Sequence, residues 1–309
     1  MNVIDQVTTD RFAIYNGDCI DVLRGLPDSS AHYSIFSPPF ASLYTYSASP
    51  RDLGNCKTHE EFYEHFRFLI PELFRVLKPG RLLSFHCMLL PTSKTRDGYI
   101  GITDFRGILI RAFQDCGWIF HSEVVIWKDP VQAMQRTKAR GLLYKELRKD
   151  SAVSRQGIPD YLITMRKPGD NAEPVTKDAA DFPVGQWQQY ASPVWVRTGE
   201  TNEETMFASC LADINPSETL QYRSAREDDD ERHICPLQLE VIRRAVKLWT
   251  NPNEVVVSPF MGIGSEGYVS LQEGRRFLGA ELKTSYFKQA AANLKVAANP
   301  LQHSLFEVA

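Results

Sequence analysis

Segments typical of strands and segments typical of helices alternate along most of this chain, and this alternation limits its fold more than any other feature. The strand-like segments are short and apolar, whereas the helix-like segments carry apolar residues three and four positions apart. In the first half, strands are predicted at 11–16, 32–36, 81–90 and 118–127, and helices at 19–26, 58–77 and 103–117. The pattern predicts βαβ units, and therefore an α/β fold with a mainly parallel sheet and helices on both faces.

The alternation stops after residue 127 and returns near the C-terminal end of the sequence. The last predicted elements are a helix over 236–249, strands over 255–257 and 276–281, and a helix over 285–296. Residues 1–127 and 233–309 are therefore predicted to form one core. Residues 128–232 are predicted to be an insertion, because they lack the pattern and are basic at first and acidic towards their end.

Composition narrows the range of functions. The net charge is −3, so any contact with nucleic acid must come from local basic patches. The six cysteines form no CxxC pair and no secretory signal is recognised, which predicts reduced thiols and a cytoplasmic location. The longest apolar runs have strand length, so no membrane span is predicted. The histidines lack the spacing of zinc ligands, so no metal is predicted.

The segment Ser37-Pro38-Pro39-Phe40 follows an apolar run and must end its strand, because consecutive prolines cannot donate to a sheet. The loop lacks N–H donors but keeps carbonyl acceptors, a hydroxyl group and an aromatic ring. These groups suit a flat heterocycle with an amino group. The hydroxyl of Ser37 and the carbonyl of Pro38 can accept hydrogen bonds from the amino group, while Phe40 stacks on the ring. The alternative interpretation is a rigid turn without a ligand.

A glycine-rich loop lies between the predicted strand 255–257 and the helix that follows it. Gly262, Gly264 and Gly267 form the pattern GxGxxG, and Glu281 ends the next strand. Glycines allow close approach of a ligand to the backbone, and an acid at the second strand end can accept both hydroxyls of a ribose. Three interpretations are open: a nicotinamide dinucleotide site, an S-adenosylmethionine site, and helix–strand packing without a ligand.

Two details favour S-adenosylmethionine. Phe260 opens the loop and can cover an adenine or a sulfonium group. The loop also lies close to the end of the sequence, whereas a dinucleotide fold needs a second mononucleotide-binding half.

Together these motifs resemble the amino-methyltransferases of DNA, which act on N4 of cytosine or N6 of adenine. The proline loop precedes the glycine loop, which is similar to the order of the permuted β subclass. Further similarity lies in Asn16-Gly17-Asp18-Cys19, His233-Ile234-Cys235-Pro236 and Arg276–Glu281. The resemblance implies a Rossmann-like methyltransferase fold, with 128–232 as the target-recognition region. The cofactor-binding residues it implies are Asp18, Cys19, His233, Pro236, Ser258, Pro259, Phe260, Gly262, Gly264 and Glu281.

The sequence departs from the family pattern at three places. Ser258 stands where an aspartate is usual, Ser265-Glu266 replaces a common threonine, and His233 is not followed by proline. The departure at position 258 removes one acidic contact expected near the cofactor.

The resemblance also implies a mechanism for Ser37, Pro38, Pro39 and Phe40. The target base is flipped out of double-stranded DNA, its amino group is held by Ser37 and Pro38, and Phe40 stacks on it. Within the family, serine at the first position is found more often with N4-cytosine, which we therefore expect. N6-adenine is the alternative. A companion restriction enzyme and the oligomeric state are not determined by the sequence.

A basic stretch from residue 128 to 167 holds ten Lys and Arg against four Asp and Glu. The phosphate contacts predicted from it are Lys128, Arg136, Lys138, Arg140 and Arg155. The alternative is a solvated charged helix. Two functions of other classes also stay open from the sequence: an NAD-dependent oxidoreductase, and a DNA-binding module with an inactive site.

Overall fold

The computed structural model describes residues 3–40, 52–56, 58–128, 144–197, 212–215, 218–221 and 236–299. Its strands, in chain order, are β1 (Asp5–Thr8), β2 (Phe12–Asn16), β3 (Ala31–Phe36), β4 (Leu77–Met88), β5 (Leu90–Pro91), β6 (Ile102–Thr103), β7 (Ile119–Ile126), β8 (Asp160–Arg166), β9 (Val194–Arg197), β10 (Ala212–Ile214), β11 (Val255–Ser258) and β12 (Arg276–Glu281).

The helices within these residues fall at most of the predicted places. They are α1 (Cys19–Arg24), α2 (His59–Phe66), α3 (Leu69–Val76), α4 (Lys94–Asp97), α5 (Phe105–Asp115), α6 (Tyr144–Leu147), α7 (Val184–Tyr190), α8 (Leu239–Trp249), α9 (Ser265–Gln272) and α10 (Thr284–Ala298). Short 3₁₀ turns occupy Leu53–Asn55 and Ser151–Val153. No helix of the described residues is long and apolar enough to cross a membrane.

The main sheet has the order β1-β2-β12-β11-β3-β4-β8-β7-β9-β10. The run from β2 to β4 is parallel throughout, whereas β1 and β8 are antiparallel to their neighbours. Alternate side chains enter two hydrophobic clusters, one packed with α2, α3 and α5 and the other with α8, α9 and α10. The predicted α/β fold with helices on both faces is confirmed.

The predicted insertion over 128–232 contributes strands to the main sheet. Strand β8 lies between β4 and β7 and is buried over nearly its whole length, so residues 160–166 form part of the core sheet. Strands β9 and β10 extend the same sheet. The surrounding basic and polar residues hid this strand in the sequence, because they break the alternation of strands and helices that marks the rest of the core.

The predicted helix over 58–77 is two helices, α2 and α3. Thr58 caps α2 as predicted, since its Oγ1 accepts the Glu61 N–H at 3.1 Å. Pro71 lies in the first turn of α3. It has no N–H to offer the Arg67 carbonyl, and its ring would collide with that carbonyl in a continuous helix. The helix therefore ends at Phe66 and starts again at Leu69.

The orientation of the strands determines which residues meet at one edge. The carboxyl ends of β2, β3, β4, β7, β11 and β12 lie at the same edge, which we call the carboxyl-end edge. Strand β8 runs the other way, so its first residue, Asp160, lies at this edge too. Ligands of open α/β sheets bind at this edge.

Candidate active site

The proline loop and the glycine loop lie side by side at the carboxyl-end edge. They follow β3 and β11, which are hydrogen-bonded neighbours with Ser34 opposite Val257. The Ser34 hydroxyl also donates to the Val257 carbonyl at 3.0 Å. Just beyond, the rings of Phe36 and Phe260 meet edge to face, with centroids 5.8 Å apart. The two loops that the sequence separates by more than 200 residues are therefore brought together by adjacent strands.

The three glycines of the GxGxxG pattern have different roles. Gly262 has a φ of +53°, and a Cβ there would point into open space, so its neighbourhood can receive a ligand. Gly264 has a φ of +89°, and a Cβ there would lie 2.5 Å from Leu294. A Cβ on Gly267 would lie 2.6 Å from the Phe277 ring, so this glycine serves the packing of α9 on β12.

Glu281 ties the end of β12 to the glycine loop. Its Oε2 accepts the Gly262 N–H at 2.9 Å, and its Oε1 accepts the Lys283 N–H at 2.8 Å. Burial raises the pKa of Glu281 to about 7, and burial raises the pKa of Glu266, on the first turn of α9, to about 8. Each oxygen of Glu281 keeps a further lone pair for a hydroxyl donor.

The entry segment after β2 is fixed by its own side chains. Asp18 caps α1, because its Oδ1 accepts the N–H groups of Ile20 at 2.9 Å and Asp21 at 3.2 Å. Burial, and then the charge of Asp18, raise the pKa of the Cys19 thiol. Asn16 donates to the carbonyls of Glu281 and Leu282. The segment is thus held against the end of β12.

Two hydroxyl groups next to the glycine loop have no hydrogen-bond partner among the described residues. They are the buried Oγ atoms of Ser258 and Ser265. An unpartnered buried hydroxyl is costly, so such groups are common where a ligand completes the site. Pro259 is buried beside Ser258, and Pro236 is partly buried. Phe260 also stacks on Phe66. His233 lies outside the described residues.

Ser37 begins a chain of polar side chains that the sequence did not predict. Its Oγ lies 3.2 Å from Nδ1 of His86 on β4. The His86 Nε2 lies 3.2 Å from Oδ2 of Asp160, and Lys128 Nζ contacts Oδ1 of the same carboxylate. We call Ser37, His86, Lys128 and Asp160 the β4 histidine cluster. The rings of Phe40 and His86 are also nearly perpendicular, with centroids 6.3 Å apart.

The charge of Asp160 is fixed by this cluster. Its side chain is 4% exposed, so burial alone would raise its pKa. The charges of Lys128 and His86 outweigh burial, and the pKa of Asp160 lies well below its usual range. The carboxylate is therefore ionised at neutral pH and faces the imidazole. Asp160 precedes a run of apolar residues, as many strand-end residues do, which is too weak a signal to find it by sequence.

The residues predicted to contact DNA phosphates are only partly described. Lys128 is paired with the buried Asp160, so its position differs from that expected of a free surface cation. Arg155 donates to the Gln156 carbonyl at 3.1 Å. Arg136, Lys138 and Arg140 lie outside the described residues.

A second polar group lies at the opposite edge of the sheet, where β3 and β11 begin. We call His32, Lys78, Arg81, Glu173 and Glu254 the β3 histidine cluster. His32 Nδ1 accepts the Val255 N–H at 3.1 Å, and its Nε2 lies 3.0 Å from Glu173. Glu254 pairs with the buried Arg81. Three of these side chains have the spacing of a metal site, but their ligand atoms already have protein partners.

Comparison with known proteins identifies the family of this chain. The family model described as DNA methylase, for N6 and N4 methyltransferases, matches residues 31–292. The chain belongs to this DNA methylase family. The predicted resemblance is therefore confirmed, and the oxidoreductase interpretation is set aside.

Several curated relatives match this DNA methylase over most of its length. It is 25% identical to the Type II methyltransferase M.BglII of Bacillus subtilis over 275 residues, which are 88% of this chain and 66% of that protein. It is 24% identical to M.XycI of Xanthomonas campestris over 305 residues, covering 91% of this chain and 87% of the relative. The chain thus spans about two thirds of M.BglII.

Solved structures show the same fold. TTHA0409 of Thermus thermophilus, in complex with S-adenosyl-L-methionine, has a TM-score of 0.64 at 19% identity and covers 93% of this chain and 96% of its own. The PvuII DNA methyltransferase, described as cytosine-N4-specific, has a TM-score of 0.61 at 16% identity and covers 94% of this chain and 90% of its own. The likeness to both structures shows the fold of this DNA methylase.

Proposed function

We propose that this DNA methylase transfers a methyl group from S-adenosylmethionine to the exocyclic amino group of a flipped base, most favourably N4 of cytosine. The observation that carries the proposal is the position of Ser37–Phe40 beside the glycine loop, on hydrogen-bonded strands whose ends meet through Phe36 and Phe260. A base held by the first loop lies next to a cofactor held by the second.

The residues of the glycine loop fit S-adenosylmethionine. The open space at Gly262, the unpartnered hydroxyl of Ser258 and the free lone pairs of Glu281 together accommodate a nucleoside with ribose hydroxyls and a charged end. Phe260 supplies an aromatic face at the same loop. When bound, the cofactor supplies a methyl group on a sulfonium, which is a strong electrophile.

The proline loop provides for the amino group. The lone pair of the amino nitrogen is delocalised into the base, and it becomes nucleophilic as this nitrogen becomes tetrahedral. Hydrogen bonds from the amino group to Ser37 Oγ and to the Pro38 carbonyl favour that geometry, so catalysis rests on placement and electrostatics. The base must flip out of the duplex to reach the proline loop, where Phe40 offers a stacking surface.

Two observations support cytosine as the target. Ser37 is neutral, and serine at this position accompanies N4-cytosine more often than N6-adenine in the family. The PvuII enzyme, with the same fold, is described as cytosine-N4-specific. Adenine is the second candidate, because adenine presents a similar amino group and the geometry of the loop accepts either base.

Double-stranded DNA is the proposed partner, bound through the segment 128–232 apart from Lys128 and β8. The proposed phosphate contacts remain Arg136, Lys138, Arg140 and Arg155. Lys128 instead belongs to the β4 histidine cluster. Because the matched relatives are Type II methyltransferases, we propose a role in modification beside a restriction enzyme of the same specificity.

Transfer of labelled methyl groups to unmodified duplex DNA tests the proposal. Ser37→Ala and Phe40→Ala should lower the transfer strongly, and the surface residues Ser30 and Phe68 supply the matched controls Ser30→Ala and Phe68→Ala. Transfer that is equal in all four variants would refute the assigned site, and no transfer by the unmodified protein would refute the function.

A further inference from the structure

We propose that His86 is a positioning residue and proton acceptor for Ser37, held in one tautomer by Asp160 and Lys128. The inference rests on the proposed methyl transfer and adds to it the route by which the amino group loses its proton. It is carried by geometry that joins four strands at one edge of the sheet.

The position of His86 is fixed by the target loop itself. Ser37 contacts Nδ1 from one end of the loop, and the Phe40 ring at the other end packs nearly perpendicular to the imidazole. The imidazole is 12% exposed, so little water competes for its nitrogens. His86 lies opposite Leu162 in the sheet, two residues along β8 from Asp160. The histidine is therefore built into the site, although it is 49 residues away from Ser37 in the sequence.

The charged groups around His86 determine its tautomer. Among the described residues, Asp160 and Lys128 are the charges at the imidazole. Arg106 and Glu123 pair with each other on the opposite face of the sheet. A carboxylate beside Nε2 favours a proton there, which leaves Nδ1 as an acceptor. The contact between Nε2 and Asp160 is not a linear hydrogen bond, so its effect is electrostatic.

This tautomer directs the hydroxyl of Ser37. If Nδ1 accepts, Ser37 must donate its only hydrogen to His86, and both lone pairs of Oγ are left for other donors. The amino group of a flipped base is such a donor. The neutral serine can then act only as a hydrogen-bond acceptor towards the amino group. This compensates for the absence of the carboxylate that other members of the family have at position 37.

The same contacts provide a balanced path for the proton. As the nitrogen–carbon bond forms, the carbon–sulfur bond breaks and leaves its electron pair on sulfur. The nitrogen then carries a positive charge and one proton too many. Its N–H bond breaks as Ser37 Oγ gains that hydrogen, and the original hydroxyl hydrogen passes to His86 Nδ1. Asp160 stabilises the imidazolium, which returns the proton to solvent.

A serine, a histidine and an aspartate in line also occur where serine is a nucleophile, but this loop argues against that use. Acyl transfer needs backbone N–H donors for an oxyanion, and the two residues after Ser37 are prolines without an N–H. Ser37 is accordingly an acceptor and a proton carrier, and forms no covalent bond to the substrate.

The tautomer can be tested without cofactor or DNA. Nitrogen-15 NMR of histidine-labelled protein, with His86 assigned by its absence in His86→Asn, should show a protonated Nε2 and an unprotonated Nδ1. The opposite tautomer would overturn the proposal, because His86 would then donate to Ser37 and occupy a lone pair of Oγ.

Single-turnover methyl transfer, measured at saturating cofactor, tests the proton path. His86→Ala should lower the rate about 100-fold, as expected for loss of an acid–base group, with unchanged Kd for S-adenosylmethionine. His86→Asn should recover part of the rate, because an amide oxygen can still orient the hydroxyl. The matched control is His121→Asn, at an exposed site.

Added imidazole should restore transfer by His86→Ala and leave His121→Asn unaffected. A rate for His86→Ala equal to that of the parent would overturn the whole inference while leaving the proposed function intact. A rate for His86→Asn equal to that of the parent would overturn the proton path, because an amide cannot take up the proton. Absence of methyl transfer by the parent protein would instead refute the proposed function.

Discussion

The two edges of the main sheet each hold a histidine among buried charges, but only one edge is complete by itself. In the β3 histidine cluster, both nitrogens of His32 have protein partners, and Glu254 is neutralised by Arg81. At the carboxyl-end edge, the hydroxyls of Ser258 and Ser265 lack partners among the described residues, and burial raises the pKa of Glu281 to about 7. The first edge stabilises the fold, whereas the second carries the polar groups that we propose bind the cofactor.

The largest expected effect is on stability and belongs to the β3 histidine cluster. Arg81→Met should lower the free energy of unfolding by about 3–5 kcal/mol, because it leaves the Glu254 carboxylate buried without a counterion. Urea unfolding followed by circular dichroism measures this loss. Arg81→Met combined with Glu254→Leu should recover part of it. A loss below about 1 kcal/mol in the single variant would show that the β3 histidine cluster does not stabilise the fold as described.

The matching change at the carboxyl-end edge should affect rate more than stability. In Asp160→Asn, the neutral amide no longer favours a proton on His86 Nε2 by its charge, so the tautomer in which Nδ1 carries the proton becomes populated. Ser37 would then lose an acceptor site, and the single-turnover rate should fall about 100-fold, or about 2.7 kcal/mol in the barrier. Asp170→Asn, at an exposed site, is the control. A rate near that of the parent would contradict the role given to Asp160.

The comparison also shows why the sequence predicted one half of the site better than the other. The glycine loop, α9 and Glu281 are contiguous in sequence, so their spacing carried the signal. His86 and Asp160 approach Ser37 from β4 and β8. The sequence of a single apolar strand does not indicate its direction in the sheet or which strands lie beside it. For the same reason, the predicted insertion over 128–232 includes residues 160–166, which the structure places in the main sheet. The helix break before Pro71 was readable from proline chemistry but was masked by apolar residues at helical spacing.

A smaller effect is expected at Glu281. Ribose hydroxyls donate to the ionised carboxylate, so cofactor binding should release a proton when the pH is below the pKa of about 7. The Kd for S-adenosylmethionine should therefore be lower at pH 8 than at pH 6. Glu281→Gln should weaken binding about tenfold and remove this pH dependence. Calorimetry in two buffers, with the exposed Glu64→Gln as control, measures both. Equal pH dependence in Glu281→Gln would refute the contact.

The smallest expected effect concerns His32. Burial lowers the pKa of His32, and the charge of Glu254 opposes this in part. The folded protein therefore binds a proton at His32 less readily than the unfolded chain does. Acidification through the usual range of histidine should therefore destabilise the fold. Glu281 acts in the opposite sense, since its raised pKa makes the folded state bind a proton more readily. The thermal midpoint of His32→Gln should fall less between pH 7.5 and pH 5.5 than that of the parent protein. An identical fall would remove His32 from the pH dependence.

The central claim is that Ser37 at the carboxyl-end edge holds an exocyclic amino group for methylation. Mass analysis of nucleosides from duplex DNA treated with protein and S-adenosylmethionine tests it most directly. The account predicts N4-methylcytosine with the parent protein and its loss with Ser37→Ala. N6-methyladenine lost in the same variant would change the base but keep the site. No methylated nucleoside from the parent protein, or equal product from Ser37→Ala, would contradict the account.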